Sequence, residues 1–401
     1  MSALIEVFSL SAGYNAAVVT IGSALLGIAA GTAGTFLFLR KRALVSDALA
    51  HATLPGIVIA FMVMVSMGGD GRSLPGLLVG SALSALLGLL LVDALTRHTR
   101  LTEDAAIGAV LSVFFGLGVV GLTIVQTMTS GRQAGLEGFL LGSTAGMLFG
   151  DAILIAVGAL VAIAVVFVLR RAMTIVSFDP GFAQATGLSV RAIDIAIMAL
   201  VLLVTVVGLK LVGLILVVAL LIIPAASARF WTERSDWVLL LSAVFGGTAG
   251  YVGAALSAVA PRLPTGSLIV LTAFALFAVS MMVSPHRGVL AALLKRRRTA
   301  IRVHRRQGLL ALAKGEMIFD AMTLAVLRRD GFIRADGVPT QAGAAEAAKA
   351  LRDEARWVIA GRVLNEDALN LRVDVLTPLE QTFTPDQIAA IDAALQNPRP
   401  A

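Results

Sequence analysis

The chain has 401 residues, of which 58% are hydrophobic and only 14% are charged, with four histidines and no cysteine. Soluble globular proteins carry about one quarter charged residues, so this composition excludes an ordinary soluble protein and indicates a chain that is mostly embedded in a membrane. The absence of cysteine excludes disulfides, thiolate metal sites and cysteine nucleophiles. The formal net charge of +7 lies largely in short basic clusters beside apolar runs, a placement typical of membrane orientation rather than of nucleic-acid binding.

Apolar runs of about 20 residues, long enough to cross a bilayer, recur along most of the chain. They predict transmembrane helices over 15–39, 43–66, 74–95, 105–128, 151–169, 236–259 and 266–284. The stretch 192–223 is too long for one span and short for two, and glycines interrupt it, which favours a broken pair of short helices. The apolar stretch 136–149 is too short to span, so we interpret it as buried or re-entrant. We therefore expect an all-α polytopic membrane protein with eight or nine spans.

Short basic clusters predict which helix ends face the cytoplasm, because cytoplasmic loops carry an excess of lysine and arginine. These clusters lie at 40–42, 97–100, 170–171 and 295–298, whereas the loops near 67–73, 129–135 and 261–265 hold one arginine each. The pattern places the N-terminus, which lacks a cleavage signal and is expected to be retained, outside the cell. It also predicts a transmembrane domain over 1–294 and a cytoplasmic domain over 295–401.

Two polar residues stand near the start of the second predicted span, in the segment ALVSDALAHATLPGIVIAFMV. Asp47 and His51 are four residues apart, which puts them on one helix face, one turn apart. A charged side chain at the centre of a span costs about 2.5–3.5 kcal/mol on insertion scales, so this pair needs a partner or a ligand. One oxygen and one nitrogen suit Mn²⁺, Fe²⁺ or Zn²⁺ better than Ca²⁺ or Mg²⁺. In the alternative interpretation, Asp47 pairs with Arg42 and His51 hydrogen-bonds a neighbouring helix.

Motifs for catalysis are absent from the sequence. It contains no G-x-x-x-x-G-K-[ST] motif and no G-x-S-x-G motif, so we expect a protein that is not an enzyme. If the chain performs ATP-driven work, the ATPase is a separate polypeptide. Glu103 and Asp104 follow Thr102 and are typical of the charged first turn of a capped helix, so we assign them no chemistry.

Four blocks in a fixed order carry a family resemblance: VSDALAHATLPGI (45–57), FDPGFAQATGLSVRAID (178–194), LKLVGLILVVALLIIPAASARF (209–230) and LPTGSLIVLTAFALFAVSMMVSP (263–285). Over about residues 10–290 the chain closely resembles the permease subunits of ABC importers for manganese, zinc and ferrous iron, the ABC-3 family. The resemblance implies that Asp47 and His51 bind the transported metal ion and that no cofactor is permanently bound.

The same resemblance implies a set of partners and a location. The partners are a cytoplasmic ABC ATPase, an extracytoplasmic metal-binding protein, a second permease subunit, identical or different, and membrane lipid, with no nucleic acid. The implied location is the bacterial plasma membrane. The sequence does not separate manganese from iron or zinc, because the ligand preferences of these ions overlap.

A short segment between two predicted spans, 178–191, lies on the expected cytoplasmic side. Its sequence DPGFAQATGL offers a helix with an early proline and a glycine stop. The resemblance implies that this segment is a coupling helix that docks on the ATPase, with the candidate residues Asp179, Phe182, Ala183, Thr186 and Gly187. From the sequence alone, an ordinary cytoplasmic connector stays open as the alternative.

The C-terminal segment 324–359 predicts an amphipathic helix ending at Asp330, a strand-turn-strand, and a second helix after Thr340. It resembles the wing and following helix of metal-dependent repressors of the diphtheria toxin repressor type. Glu354 and Val358 stand where those repressors place metal ligands, and the preceding segment is short for their other helices, so neither DNA binding nor metal sensing carries over. We expect a small α+β winged-helix-like domain used for protein contacts or regulation.

Two other functions stay open. A permease for iron chelates or cobalamin would need a wide polar or aromatic path, whereas only 6% of the residues are aromatic. A membrane-tethered winged-helix regulator would not need eight spans as an anchor. Its tail would also carry a basic surface for DNA, whereas positive and negative charges nearly balance between Leu310 and Arg362.

Overall fold

The computed structural model describes residues 6, 8–11, 13–69, 71, 73–128, 149–259, 263–363 and 379–396. Contacts within the chain divide it into two compact units, Met1–Val289 and Leu290–Ala401. The predicted re-entrant segment 136–149 lies outside the described residues, except for Phe149, which begins a helix.

The first unit consists of long apolar helices. In chain order they are α1 Tyr14–Leu39, α2 Ala43–Ser66, α3 Leu74–His98, α4 Glu103–Thr127, α5 Phe149–Phe178, α6 Pro180–Ala185, α7 Val190–Val212, α8 Leu214–Trp231, α9 Ser235–Val259 and α10 Thr265–Val283. Among the described residues, eight helices are long and apolar enough to cross a membrane, and α8 contributes a shorter apolar helix. The prediction of a polytopic helical membrane protein is therefore confirmed.

The predicted break within 192–223 falls at Gly213, between α7 and α8. Gly213 has φ +86° and ψ 168°, a conformation that side chains disfavour and glycine adopts freely. The two helices are 23 and 18 residues long, so each is longer than the half-length helices that the sequence indicates. The helices are longer because α7 begins at Val190, before the predicted stretch 192–223, and α8 continues beyond it to Trp231.

Close backbone contacts hold the centre of this unit together. Helix α1 packs against α5, α7, α8 and α9, and α2 packs against α3 and α4. A Cβ atom added to Gly27 in α1 would lie 2.1 Å from the carbonyl oxygen of Gly246 in α9. A Cβ atom on Gly56 in α2 would lie equally close, at 2.1 Å, to the carbonyl oxygen of Gly80 in α3. Small residues at helix crossings are the usual device for close packing in membranes.

Ion pairs lie at one end of the first unit, in its turns and in the adjoining helix ends. They are Arg42–Glu103 at 2.9 Å, Arg170–Asp236 at 4.0 Å and Arg287–Glu233 at 2.6 Å. We call this end, formed by the turns 40–42, 99–102, 179–189, 232–234 and 284–288, the basic end. Arg40 also donates a hydrogen bond to the carbonyl of Val176 near the end of α5, so the clusters near 40–42 and 170–171 lie at the same end, as the orientation rule requires. At this end α4 has the predicted cap, since the Thr102 hydroxyl accepts a hydrogen bond from the Ala105 N–H at 3.4 Å.

The second unit is helical in the part that the structure describes. Its helices are α11 Val289–Lys314, which begins at the unit boundary, α12 Ala321–Arg329, α13 Gln341–Val363, α14 Leu379–Thr382 and α15 Pro385–Gln396. Leu309, Leu327, Ile333 and Ala347 form a small buried core. Asp320 caps α12, and hydrogen bonds from the hydroxyl and the backbone N–H of Thr323 lower the pKa of this carboxyl.

The prediction of an α+β winged-helix fold is wrong for the described residues, which contain no strand. The expected strand-turn-strand is a single antiparallel bridge between Ile333 and Pro339. Two backbone hydrogen bonds flank the bridge, from the Arg334 N–H to Val338 and from the Thr340 N–H to Phe332, both at 2.9 Å. The turn at Gly337 on one side and the start of α13 at Gln341 on the other leave no room for a longer ladder. The flanking helices were correctly predicted, since α12 ends at Arg329 and α13 begins at Gln341.

Candidate functional site

The two predicted metal ligands lie side by side near the start of α2. The Nε2 atom of His51 is 3.6 Å from Oδ1 of Asp47, slightly too far for a hydrogen bond. The His51 side chain is 18% exposed and the Asp47 side chain is 43% exposed, so the carboxylate is the more accessible partner. Two ligands held about 2.1 Å from a tetrahedral zinc ion lie roughly 3.4 Å apart. The observed separation therefore suits a single ion bound by both side chains.

The imidazole of His51 is positioned by packing rather than by hydrogen bonds. Its ring lies edge-on to Phe115 of α4, with the ring centroids 5.1 Å apart and the planes at 86°. Its Nδ1 atom is buried and has no hydrogen-bond partner among the described residues. Sequence reasoning missed Phe115, because one aromatic residue in an apolar span gives no signal of its own.

The contacts do not support the alternative interpretation of Asp47 and His51 as purely structural residues. Arg42, the proposed partner of Asp47, instead pairs with Glu103 at 2.9 Å and lies 3.7 Å from Asp194. The contact that His51 makes with a neighbouring helix is aromatic. Both polar side chains thus keep the capacity to bind a ligand.

The backbone next to this pair carries a further polar atom without its usual partner. Helix α2 continues without a break through Pro55 to Ser66. Proline lacks the N–H that would bond the carbonyl four residues earlier, so the carbonyl oxygen of His51 receives no helical hydrogen bond from Pro55.

The side-chain ligand set is small. In the ranges that the structure describes, no three or more histidine, cysteine, aspartate or glutamate side chains form a group that could hold a metal ion. Asp47 and His51 therefore offer two ligands, and water or another chain would complete the coordination of an ion bound here.

The predicted coupling segment forms a short helix, α6, at the basic end. The Asp179 carboxylate accepts a hydrogen bond from the Phe182 N–H at 2.9 Å and so caps the start of the helix. The Thr186 hydroxyl donates to the Ala183 carbonyl at 2.9 Å, and Gly187, with φ +83°, ends the helix. The predicted residues thus include those that begin and end helix α6.

The side chains of α6 divide into an inner and an outer set. Ala183 is fully buried against the bundle, whereas Phe182 is 56% exposed. Phe178, at the end of α5, is 59% exposed. Exposed aromatic rings beside a helix that is anchored at its inner side are available for contact with another protein.

Comparisons with known proteins bear on residues of the first unit. The model of the family described as "ABC 3 transport family" matches residues 14–284. The chain is 40% identical to the manganese transport system membrane protein MntC of Bacillus subtilis, over 73% of this chain and 66% of that protein. It is 39% identical to the zinc transport system membrane protein TroC of Treponema pallidum, over 75% of this chain and 98% of that protein.

Solved structures share this fold. The PsaBC structure from Streptococcus pneumoniae, in complex with Fab, matches with a TM-score of 0.61 and 28% identity, over 71% of this chain and 97% of that one. A metal-chelate type ABC transporter in an inward-facing conformation matches with a TM-score of 0.54 and 18% identity, over 69% of this chain and 96% of that one. With its helical spans, its interrupted α7–α8 pair and the family match over residues 14–284, the chain belongs to the ABC 3 transport family.

Proposed function

We propose that this chain is the membrane-spanning permease subunit of an ATP-driven importer for a divalent transition-metal ion, manganese or zinc. The observation that carries the proposal is the Asp47–His51 pair, 3.6 Å apart on one face of α2, in a chain whose relatives are named for manganese and zinc transport. The chain is a transporter subunit rather than an enzyme, and ATP hydrolysis belongs to a separate polypeptide.

The chemistry of the pair suits a transported ion better than a resident one. A carboxylate oxygen and an imidazole nitrogen are ligands that Mn²⁺ and Zn²⁺ both accept. Two ligands bind an ion more weakly than a full set of four to six, which allows release on the opposite side of the membrane. Water or a second permease subunit would supply the remaining ligands. Fe²⁺ has similar preferences, but the relatives named above carry manganese and zinc in their names.

The partners follow from the two ends of the transport path. We propose that α6 docks on a cytoplasmic ATPase, because Phe182 is exposed while Ala183 anchors the helix. We place the chain in the bacterial plasma membrane, with the basic end and residues 295–401 in the cytoplasm. An extracytoplasmic binding protein would deliver the ion to its opposite end. The tail would adjust assembly or rate. A regulator that reads DNA is disfavoured, since the described tail lacks the strands of a winged helix.

The test is uptake of radioactive manganese and zinc by cells that lack the protein and its ATPase. Restoring both chains should restore uptake of at least one of these ions, and the other ion, in excess, should compete if the site is shared. Uptake of an iron chelate or of cobalamin without uptake of bare ions would overturn the proposal in favour of the chelate permease.

A further inference from the structure

A cluster of four charged side chains fastens the turn between α1 and α2 to its neighbours at the basic end. Arg40 Nη2 lies 2.7 Å from Oδ2 of Asp194, and Arg42 Nη1 lies 3.7 Å from the same oxygen. Arg42 Nε also lies 2.9 Å from Oε1 of Glu103. The Arg40 side chain is 13% exposed and that of Asp194 is 20% exposed, so their contact is largely shielded from solvent. We call these four residues the Asp194 cluster.

The Asp194 cluster includes contacts with both chain segments that flank α6. Arg40 Nη1 donates a hydrogen bond to the carbonyl of Val176 at 3.0 Å, three residues before the Asp179 cap of α6. Asp194 lies near the start of α7, the helix that follows α6. A displacement of α6 therefore pulls on Arg40 through the segment before it and through the segment after it.

The Asp194 cluster is also connected to the Asp47–His51 pair through the start of α2. Arg42 is the N-cap residue directly before α2, and Asp47 follows five residues later in this unbroken helix. A helix is a stiff element with a rise of about 1.5 Å per residue, so a shift at Arg42 moves Asp47 and His51 with it. The connection from α6 to the ligand pair thus runs through side-chain contacts and one short stretch of helix.

The Arg40–Asp194 contact is also incomplete. Arg40 Nε and Asp194 Oδ1 are buried without a hydrogen-bond partner in the described part of the chain. Arginine and carboxylate groups bind best through two parallel hydrogen bonds, and a buried polar atom without a partner is destabilising. A small movement of α7 would let the second contact form, or would pass Asp194 from Arg40 to Arg42. Two discrete arrangements of one contact are what a switching element requires.

We propose that the Asp194 cluster transmits movement of α6, driven by the ATPase, to α2 and the Asp47–His51 pair. The inference rests on the proposed function, since it takes α6 as the docking helix and Asp47 with His51 as the ion site. Arg40, Arg42 and Asp194 are positioning residues in this scheme, because they act on the ion only through α2.

A second, more exposed ion pair at the same end of the molecule serves as a control. Arg287 and Glu233 form an ion pair at 2.6 Å between the α8–α9 turn and the segment after α10. The hydrogen bond and charge of Arg287 lower the pKa of Glu233, so this pair also interacts electrostatically. Neither residue belongs to α2 or flanks α6. Loss of this pair removes an ion pair at the basic end without cutting the proposed connection.

The experiment uses the permease reconstituted with its ATPase in liposomes, and it measures manganese uptake and ATP hydrolysis in the same vesicles. Asp194→Asn keeps the shape of the side chain and removes its charge. We expect manganese transported per ATP hydrolysed to fall at least about fivefold, as for a lost coupling between two sites, while manganese binding and ATPase association stay unchanged. Glu233→Gln should leave the ratio as in the wild type.

Further variants and controls complete the test. The exchange Arg40→Asp with Asp194→Arg should recover part of the ratio if the pair itself carries the signal. If Asp194→Asn does not assemble, Arg40→Lys tests the same connection. Lysine keeps the positive charge but loses the hydrogen bond that Arg40 Nη1 donates to the carbonyl of Val176. An unchanged ratio, or an equal fall of uptake and hydrolysis, would overturn this inference. A wild-type complex that moves neither manganese nor zinc would instead overturn the proposed function.

Discussion

His51 Nε2 and Asp47 Oδ1 lie 3.6 Å apart, while the second ring nitrogen of His51 is buried and has no hydrogen-bond partner among the described residues. The two side chains are therefore neighbours that do not satisfy each other. In a helix that is otherwise apolar, such a pair is costly unless something else binds to it. A divalent cation between the two groups would satisfy both.

Replacing either member of this pair should stop transport without preventing assembly. For Asp47→Asn and His51→Gln we expect metal uptake to fall at least about tenfold, in line with the effect of disturbing metal sites. The matched control is Asp93→Asn, which removes a carboxylate that pairs with Arg97 four residues away at 2.7 Å on an exposed helix face. Normal uptake by both site variants, at equal amounts in the membrane, would show that Asp47 and His51 have a structural role only.

Contact of α6 with the ATPase can be mapped by cysteine crosslinking, because the chain has no cysteine of its own. A cysteine at Phe182 should crosslink to the ATPase, since this side chain is 56% exposed, whereas one at Ala183, which is fully buried, should not. Phe182→Ala should weaken recovery of the ATPase with the permease. Labelling of position 182 by an impermeant reagent added outside intact cells would contradict the orientation and the docking role together.

The α1–α9 crossing should be sensitive to a single methyl group. A Cβ atom on Gly27 would meet the Gly246 carbonyl oxygen at 2.1 Å, so Gly27→Ala must push the two backbones apart, at a cost of about 1–3 kcal/mol. Gly116→Ala in α4 is the control, because a Cβ atom there meets no atom within 4 Å. Thermal unfolding in detergent should show a lower midpoint for the first variant only. Equal midpoints would mean that the helices adjust to the added methyl group without strain.

Sequence patterns predicted the helical spans well and the polar contacts poorly, for a physical reason. The length of an apolar run determines whether a helix can cross a bilayer, and this information is local. The partner of Arg40 is Asp194, 154 residues away in sequence, so no local pattern indicates their contact. The predicted wing was wrong for a different reason: the turn between Ile333 and Pro339 is present, but the start of α13 at Gln341 limits the pairing to one bridge. Asp47 and His51 could be proposed from the sequence as a candidate pair because charge in a span is itself unusual.

The tail should modulate transport without being needed for the transport step. Truncation after Arg298 keeps the basic cluster 295–298 and removes the whole tail core around Leu309 and Leu327. We expect the truncated chain to insert, to bind its ATPase and to take up metal at a changed rate, because both Asp47 and α6 lie in the first unit.

A second variant separates loss of the tail from damage to the chain end. Leu327 is fully buried, so Leu327→Asp places a charge in the tail core and should unfold the tail in place, since burying an unpaired charge is strongly unfavourable. Uptake by this variant should match that of the truncated chain. Both should differ from Met317→Asp, a control at a side chain that is 82% exposed. Complete loss of uptake in a truncated permease that is inserted and bound to its ATPase would make the tail part of the transport mechanism itself.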